Sequence, residues 1–279
     1  MSDAVSVVWD DALLGYTMGG DHPLHPVRLD LTMRLADSLG VLAGDRLRVL
    51  APTPAGEDLL TLVHDPAYLD AVRRAPHDPG VGHGLGTADN PVFEGMYDAA
   101  ALITGGSVLA AEQLHTGAAQ HAVNIAGGLH YAMRSAASGF CVFNDAAVAI
   151  AWLLRQGHRR IAYVDLDVHH GDGVQAAFYD DPRVLTVSIH QTPLTLFPGT
   201  GFPEETGGPA EALGSAVNVA LPNGTDDSGW LRAFDAVVPA VLRAFRPEIL
   251  LTQCGCDSHH EDPLADLALT VDGQRAAYR

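Results

Sequence analysis

The stretch "YVDLDVHHGDG", Tyr163 to Gly173, decides how this chain is read. Three carboxylates (Asp165, Asp167, Asp172) and two imidazoles (His169, His170) follow directly on an apolar run. A buried strand that ends in so much polar chemistry needs either a cation or many hydrogen-bond donors, because an unpaired buried carboxylate is costly. Strand side chains alternate, so Asp165, Asp167 and His169 are expected on one side and His170 on the other. Asp and His at that spacing make part of a metal site, and a third ligand should come from another strand end. The stretch "CDSHHEDPLAD" offers Asp257, His259, His260, Glu261, Asp262 and Asp266 for that place. Three protein ligands with an open position is the pattern of a catalytic metal.

The rest of the chain supplies a frame in which such a strand end makes sense. Short β-rich runs at 5–9, 46–51, 121–127, 160–168, 184–190, 216–221 and 248–255 alternate with helical patterns at 26–40, 92–117, 144–157 and 227–245. Asn144 and Asp227 are good N-cap residues for the last two helices. This alternation, with nearly continuous apolar strands, predicts an α/β fold with a mainly parallel sheet covered on both faces. In such sheets the chemistry lies beyond the carboxyl ends of the strands. A further helix begins near Asp272 and the sequence stops two turns into it, so the final part of a larger single domain, 1–279, is expected to be missing.

Composition narrows the function. The 279 residues are 47% hydrophobic and 18% charged, and the formal net charge is −18 from 34 acidic and 16 basic residues. That balance argues against nucleic acid or an anionic membrane surface as partner, since phosphate binding needs clustered cations. Three cysteines (Cys141, Cys254, Cys256) cannot build a disulfide framework or a zinc ribbon. With no basic leader and no long apolar run, a cytoplasmic protein is expected.

Two other stretches carry chemistry. "NIAGGLHYAMRSAASGFCVFND" (124–145) delivers His130 into a loop after a strand, where a neutral imidazole could serve as general base. "GHGLGTADNPVFEG" (82–95) is Gly-rich but lacks the spacing of a phosphate loop; it reads either as a flexible loop bordering a pocket, with Asp89 near its tip, or equally as a plain surface loop.

Together with "VLTVSIHQ", "LFPGTG" and "CGCDSHHEDPLADLALT", these motifs resemble the zinc-dependent histone deacetylase family, and within it the bacterial acetoin-utilisation branch. The likeness runs in order from about residue 16 to the end. It implies a three-layer α/β/α sandwich of the arginase/deacetylase type around a mainly parallel eight-stranded sheet. It implies hydrolysis of an acyl-lysine amide, with an acetylated protein such as an acetyl-CoA synthetase as substrate. On the matching positions it implies a metal, zinc or ferrous iron, on Asp167, His169 and Asp262, and His130, Tyr131, Asp165 and Asp172 as the catalytic group. Asp89, Gly128, Phe140, Phe197 and Leu269 would bind substrate. A structural potassium would lie at Asp165, Asp167, His169, Ser188 and Ile189.

Two departures set the second reading. The family places two adjacent histidines where this chain has His130-Tyr131. Its glycine-rich tyrosine motif, which binds the oxyanion, is expected beyond Arg279. A phenol with an ordinary pKa near 10 is a poor base at neutral pH. The alternative is therefore a silent metal-binding or acyl-lysine-binding protein. A related ureohydrolase fits less well, because "HHGDG" with "FPGTG" follows the deacetylase pattern.

Overall fold

The computed structural model describes residues 4–20 and 22–278. The chain divides into two compact units, Met1–Gly157 and His158–Arg279. The first contains β1 (Val5–Val8), α1 (Val27–Ser38), β2 (Leu47–Leu50), α2 (Glu57–Leu60), α3 (Pro66–Arg74), α4 (Met96–His115), β3 (His121–Asn124) and α5 (Asp145–Arg155). Its strands form a parallel sheet in the order β2-β1-β3. The second contains β4 (Ile161–Asp165), α6 (Asp172–Phe178), β5 (Val184–Gln191), β6 (Ala216–Leu221), α7 (Asp227–Phe245), β7 (Ile249–Gln253) and α8 (Val271–Ala277). Its parallel order is β6-β5-β4-β7. Where the resemblance implied one sheet of eight strands, the described residues form seven strands in two hydrogen-bonded sheets.

Both central strands of the second unit, β4 and β5, are buried at every residue. This is why their sequences run apolar without alternation. Leu166, Val168, Leu185, Val187, Ile189, Trp230 and Leu267 make the core of this unit. In the first unit Leu13, Leu60, Tyr68, Met96, Ile103 and Phe143 do the same.

Each sequence-predicted strand is present, but β4 ends at Asp165, three residues short of the expected 168. The side chains of Asp165 and Asp167 turn back onto backbone amides two residues on, which draws the chain out of the sheet. Asn144 caps α5 by accepting from the Ala147 amide. The cap of α7 is Asp226, not Asp227, and accepts from Gly229; the Asp227 carboxylate instead holds the Thr270 amide and hydroxyl. Sequence patterning missed α2, α3 and α6, which are 4, 9 and 7 residues long.

Helix α4 carries two mid-helix glycines, each costing about 1 kcal/mol relative to alanine. Packing explains them. A Cβ at Gly105 would lie 1.8 Å from the Thr53 carbonyl oxygen, and one at Gly106 would lie 2.9 Å from the Asn124 amide nitrogen. The helix backbone thus sits directly on the segment that follows β2, where the Ala55 amide donates to the Ala101 carbonyl. Gly105→Ala is expected to lower stability by roughly 1–3 kcal/mol, although alanine favours helix. Gly44→Ala, which meets nothing within 4 Å, should change it by less than about 0.5 kcal/mol. Urea unfolding of both variants beside the wild type checks the contrast.

Candidate metal centre

Beyond β4 the backbone of 165–169 is shaped by its own carboxylates. Asp165 Oδ1 accepts from the Asp167 amide at 3.2 Å, and Asp167 Oδ1 accepts from the His169 amide at 2.8 Å. Two consecutive turns of this kind, rather than the pleat of a strand, bring Asp167 and His169 together. Asp257 reaches the same place from the segment after β7, where its Oδ1 accepts from the Val168 amide at 2.9 Å. His169 Nδ1 then lies 3.0 Å from Asp167 Oδ1 and 2.9 Å from Asp257 Oδ2.

Among the described residues, Asp167, His169 and Asp257 are the group whose donor atoms all lie within 4.8 Å of one another. Asp167 and His169 are buried, and Asp257 is half-buried. The trio corrects the ligand set expected from the sequence. Asp262 does not join it: its carboxylate turns back to accept from the Leu264 amide at 2.9 Å. The reason is distance along the chain. Asp257 stands four residues beyond the end of β7, beside the end of the neighbouring β4, while Asp262 lies on the far side of a turn in which its amide bonds the His259 carbonyl.

The electrostatics of the trio call for a cation. Burial lowers the pKa of His169, yet hydrogen bonds and charge from Asp167 and Asp257 carry it up to about 10. Burial, then the charge of Asp167, pushes the Asp257 carboxyl above its usual range. Two carboxylates and one imidazole in this arrangement fit a divalent cation, and the donor set suits zinc and ferrous iron alike.

Two residues that sequence reasoning missed hold the trio. Gln253, the last residue of β7, donates from Nε2 to Asp167 Oδ2 at 3.0 Å and accepts from the Gly255 amide at 2.6 Å. A Cβ at Gly255 would lie 2.1 Å from Asp167 Oδ2, so only glycine fits there. The "QCG" run, at a strand end next to the ligand strand, was the available signal. Around them, Tyr163 donates to Asp165 Oδ2 at 2.9 Å. Ser188 stands opposite Asp165 on β5, with Oγ 2.8 Å from His190 Nδ1, and Ile189 is fully buried. His170 turns away from the trio towards Thr200 and Gln175, at 2.9 and 3.1 Å. Asp172 begins α6 and is buried. Phe197 is 45% exposed, whereas Leu269 is 1% exposed and packs in the core.

The other predicted residues belong to the first unit. His130 and Tyr131 are 2% and 7% exposed, with ring centroids 4.1 Å apart. A Cβ on Gly139 would meet the Tyr131 ring at 2.4 Å, so the phenol ring is accommodated by the glycine. The amides of Gly128 and Leu129 donate to the Asp145 carboxylate. Phe140 takes a positive φ of 72°, and its carbonyl accepts from the Tyr16 hydroxyl at 2.7 Å. His22 joins two of the predicted substrate residues: its ring lies edge-on to Phe140 at 4.5 Å, and its Nε2 is 3.3 Å from the carbonyl of the exposed Asp89. The 82–95 stretch, expected to be a flexible loop, is docked by backbone: the Ala137 amide donates to the His83 carbonyl at 2.8 Å.

The histone deacetylase domain matches residues 22–279, across both units. The chain belongs to the histone deacetylase family. It is 40% identical over 277 residues to the acetoin utilization protein AcuC of Bacillus subtilis, covering 98% of this chain and 70% of that protein. It is 37% identical to the AcuC of Staphylococcus aureus strain MRSA252, covering 95% and 68%. Among solved structures, a histone deacetylase homolog from Aquifex aeolicus superposes with a TM-score of 0.90 at 34% identity, over 99% of this chain and 74% of that one. A homolog complexed with SAHA gives 0.89. The parallel sheets and flanking helices are thus those of the α/β arginase/deacetylase fold. By family the chain is a deacetylase, a hydrolase. No helix of the described residues is long and apolar enough to cross a membrane.

The corrected ligand set is directly testable. Asp257→Asn should weaken zinc binding by more than about a hundredfold, beyond the 10–100-fold typical of groups that only orient a ligand. Asp262→Asn should leave it within about twofold. Competition with a chromophoric chelator reads both.

Proposed function

We propose that this chain is a metal-dependent protein lysine deacylase acting on acetyl-lysine, as its likeness to the AcuC proteins suggests. The observation that carries the reading is the convergence of Asp167, His169 and Asp257 at the carboxyl ends of parallel strands. Within residues 1–279 all 16 basic residues are arginine, so none of them can be the acyl-lysine itself.

Asp167, His169 and Asp257 hold the cation, zinc or ferrous iron. When bound, such a cation polarises an amide carbonyl and lowers the pKa of water towards neutrality. The likeness to the family assigns proton transfer between water and the leaving amine to His130, since a neutral imidazole is a better base at working pH than a phenol. It also gives Asp165 and Asp172 to the catalytic group. The same likeness assigns Asp89, Gly128, Phe140 and Phe197 to substrate binding. Ser188 and Ile189, with the 165–169 backbone, hold a structural potassium. The packing of Leu269 in the core leaves it a supporting part. A content of three cysteines suits a cytoplasmic setting, and an acetylated metabolic enzyme such as an acetyl-CoA synthetase is the substrate we assign.

Tyr131 lowers the rate rather than the affinity for metal, since it replaces a base without entering the ligand trio. Acetate release from an acetyl-lysine peptide by the zinc-loaded protein should therefore be measurable and slow. Tyr131→His should raise kcat on the order of 10- to 100-fold. An absence of turnover in both proteins, each soluble and metal-loaded, would refute the enzymatic reading.

A further inference from the structure

The loop that carries His130 is held by two residues outside it. His64, 1% exposed, follows α2. Its Nδ1 lies 3.0 Å from the Met133 carbonyl, and its Nε2 accepts from the Asn144 amide at 3.0 Å. A carbonyl only accepts and an amide N–H only donates, so the ring must carry its proton on Nδ1 and keep Nε2 free of one. Burial pushes the pKa of this imidazole down to about 4, against the upward pull of the Met133 and Arg134 carbonyls and the Asp65 charge; the Arg134 charge adds to the lowering. The neutral ring, and both of its bonds, therefore persist at working pH.

Asn144 completes the arrangement. Its Oδ1 caps α5, while its Nδ2 donates to the carbonyls of His130 at 3.2 Å and Ala132 at 3.1 Å. Asp65 extends the same hold: its amide donates to the Arg134 carbonyl at 3.0 Å, and its carboxylate accepts from Arg134 and Ser135. The carbonyls of 130, 132, 133 and 134 are thus all bonded to His64, Asp65 or Asn144.

We propose that His64 and Asn144 are positioning residues that clamp the His130 loop and set its imidazole for proton transfer. The proposal rests on the reading of His130 as general base. A misplacement of about 1 Å in a reacting group can cost about a hundredfold in rate.

Three variants separate the clamp from simple fold support. His64→Leu removes both bonds, His64→Gln keeps a donor and an acceptor, and Asn144→Asp keeps the helix cap but removes the donor to His130 and Ala132. Deuterium exchange over 128–135, with 160–191 as internal reference, reads the clamp without substrate. In His64→Leu and Asn144→Asp, exchange over 128–135 should rise while the reference stays fixed. For an acetyl-lysine peptide, kcat should fall about tenfold or more, with KM and zinc affinity within about twofold. His64→Gln should recover most of the kcat. Unchanged exchange and kcat in folded His64→Leu would overturn the clamp, as would a loss shared by exchange at 160–191 and zinc affinity. If the wild type turns over no acyl-lysine peptide while exchange over 128–135 responds as stated, the base assignment of His130 fails and the clamp stands as a property of the loop alone.

Discussion

Two carboxylates and an imidazole brought within hydrogen-bond distance in a buried place are the constraint on which the second unit is organised. Asp167 and Asp257 repel each other and are costly to bury; only a cation between them, a proton on His169 or a metal ion, relieves that cost. The rise of the His169 pKa to about 10 expresses this demand. The same demand explains the surrounding chain. Gln253 holds the far oxygen of Asp167, Gly255 leaves room for it, and the Val168 amide holds the far oxygen of Asp257. The sheet supplies the rigidity: β4 lies between β5 and β7, so both segments that carry ligands leave adjacent parallel strands at the same edge.

The first unit solves a different problem, the placing of a buried loop. Residues 129–132 are buried, and buried backbone polar groups must be met internally. His64, Asp65, Asn144 and Asp145 meet them, and each does so at the start or approach of a helix: α3 begins at Pro66 after Asp65, and α5 at Asp145 after Asn144. Helix caps and loop anchors are here the same residues. Order at His130 is thereby tied to two helices rather than to the loop itself.

Much of the fold was legible in the sequence, because buried parallel strands leave uninterrupted apolar runs and α5 announces itself with Asn144. The short helices were not, since α6 starts inside the polar, Gly-containing "HHGDG" run and resembles a loop. At the site, Asp167 and His169 were legible from their spacing. The physical cause was not: side chains hydrogen-bonded to amides two residues on, rather than strand alternation, bring them together. Six Asp, Glu and His residues between 257 and 266 left the third ligand open, and the resemblance pointed to Asp262, where the fold selects Asp257. The nearness of Asp257 to the end of β7 and the pairing of β7 with β4 together distinguish them, and the pairing is a long-range fact that no local pattern contains. His64 was invisible for a similar reason, its two partners lying 69 and 80 residues away.

The most direct test of this account is an anomalous-diffraction map of the zinc-loaded protein. One strong peak is expected, coordinated by Asp167, Asp257 and Nδ1 of His169, with Asp262 still bonded to the Leu264 amide. A peak coordinated by Asp262, His259 or His260, or none at the trio in zinc-saturated crystals, would contradict it.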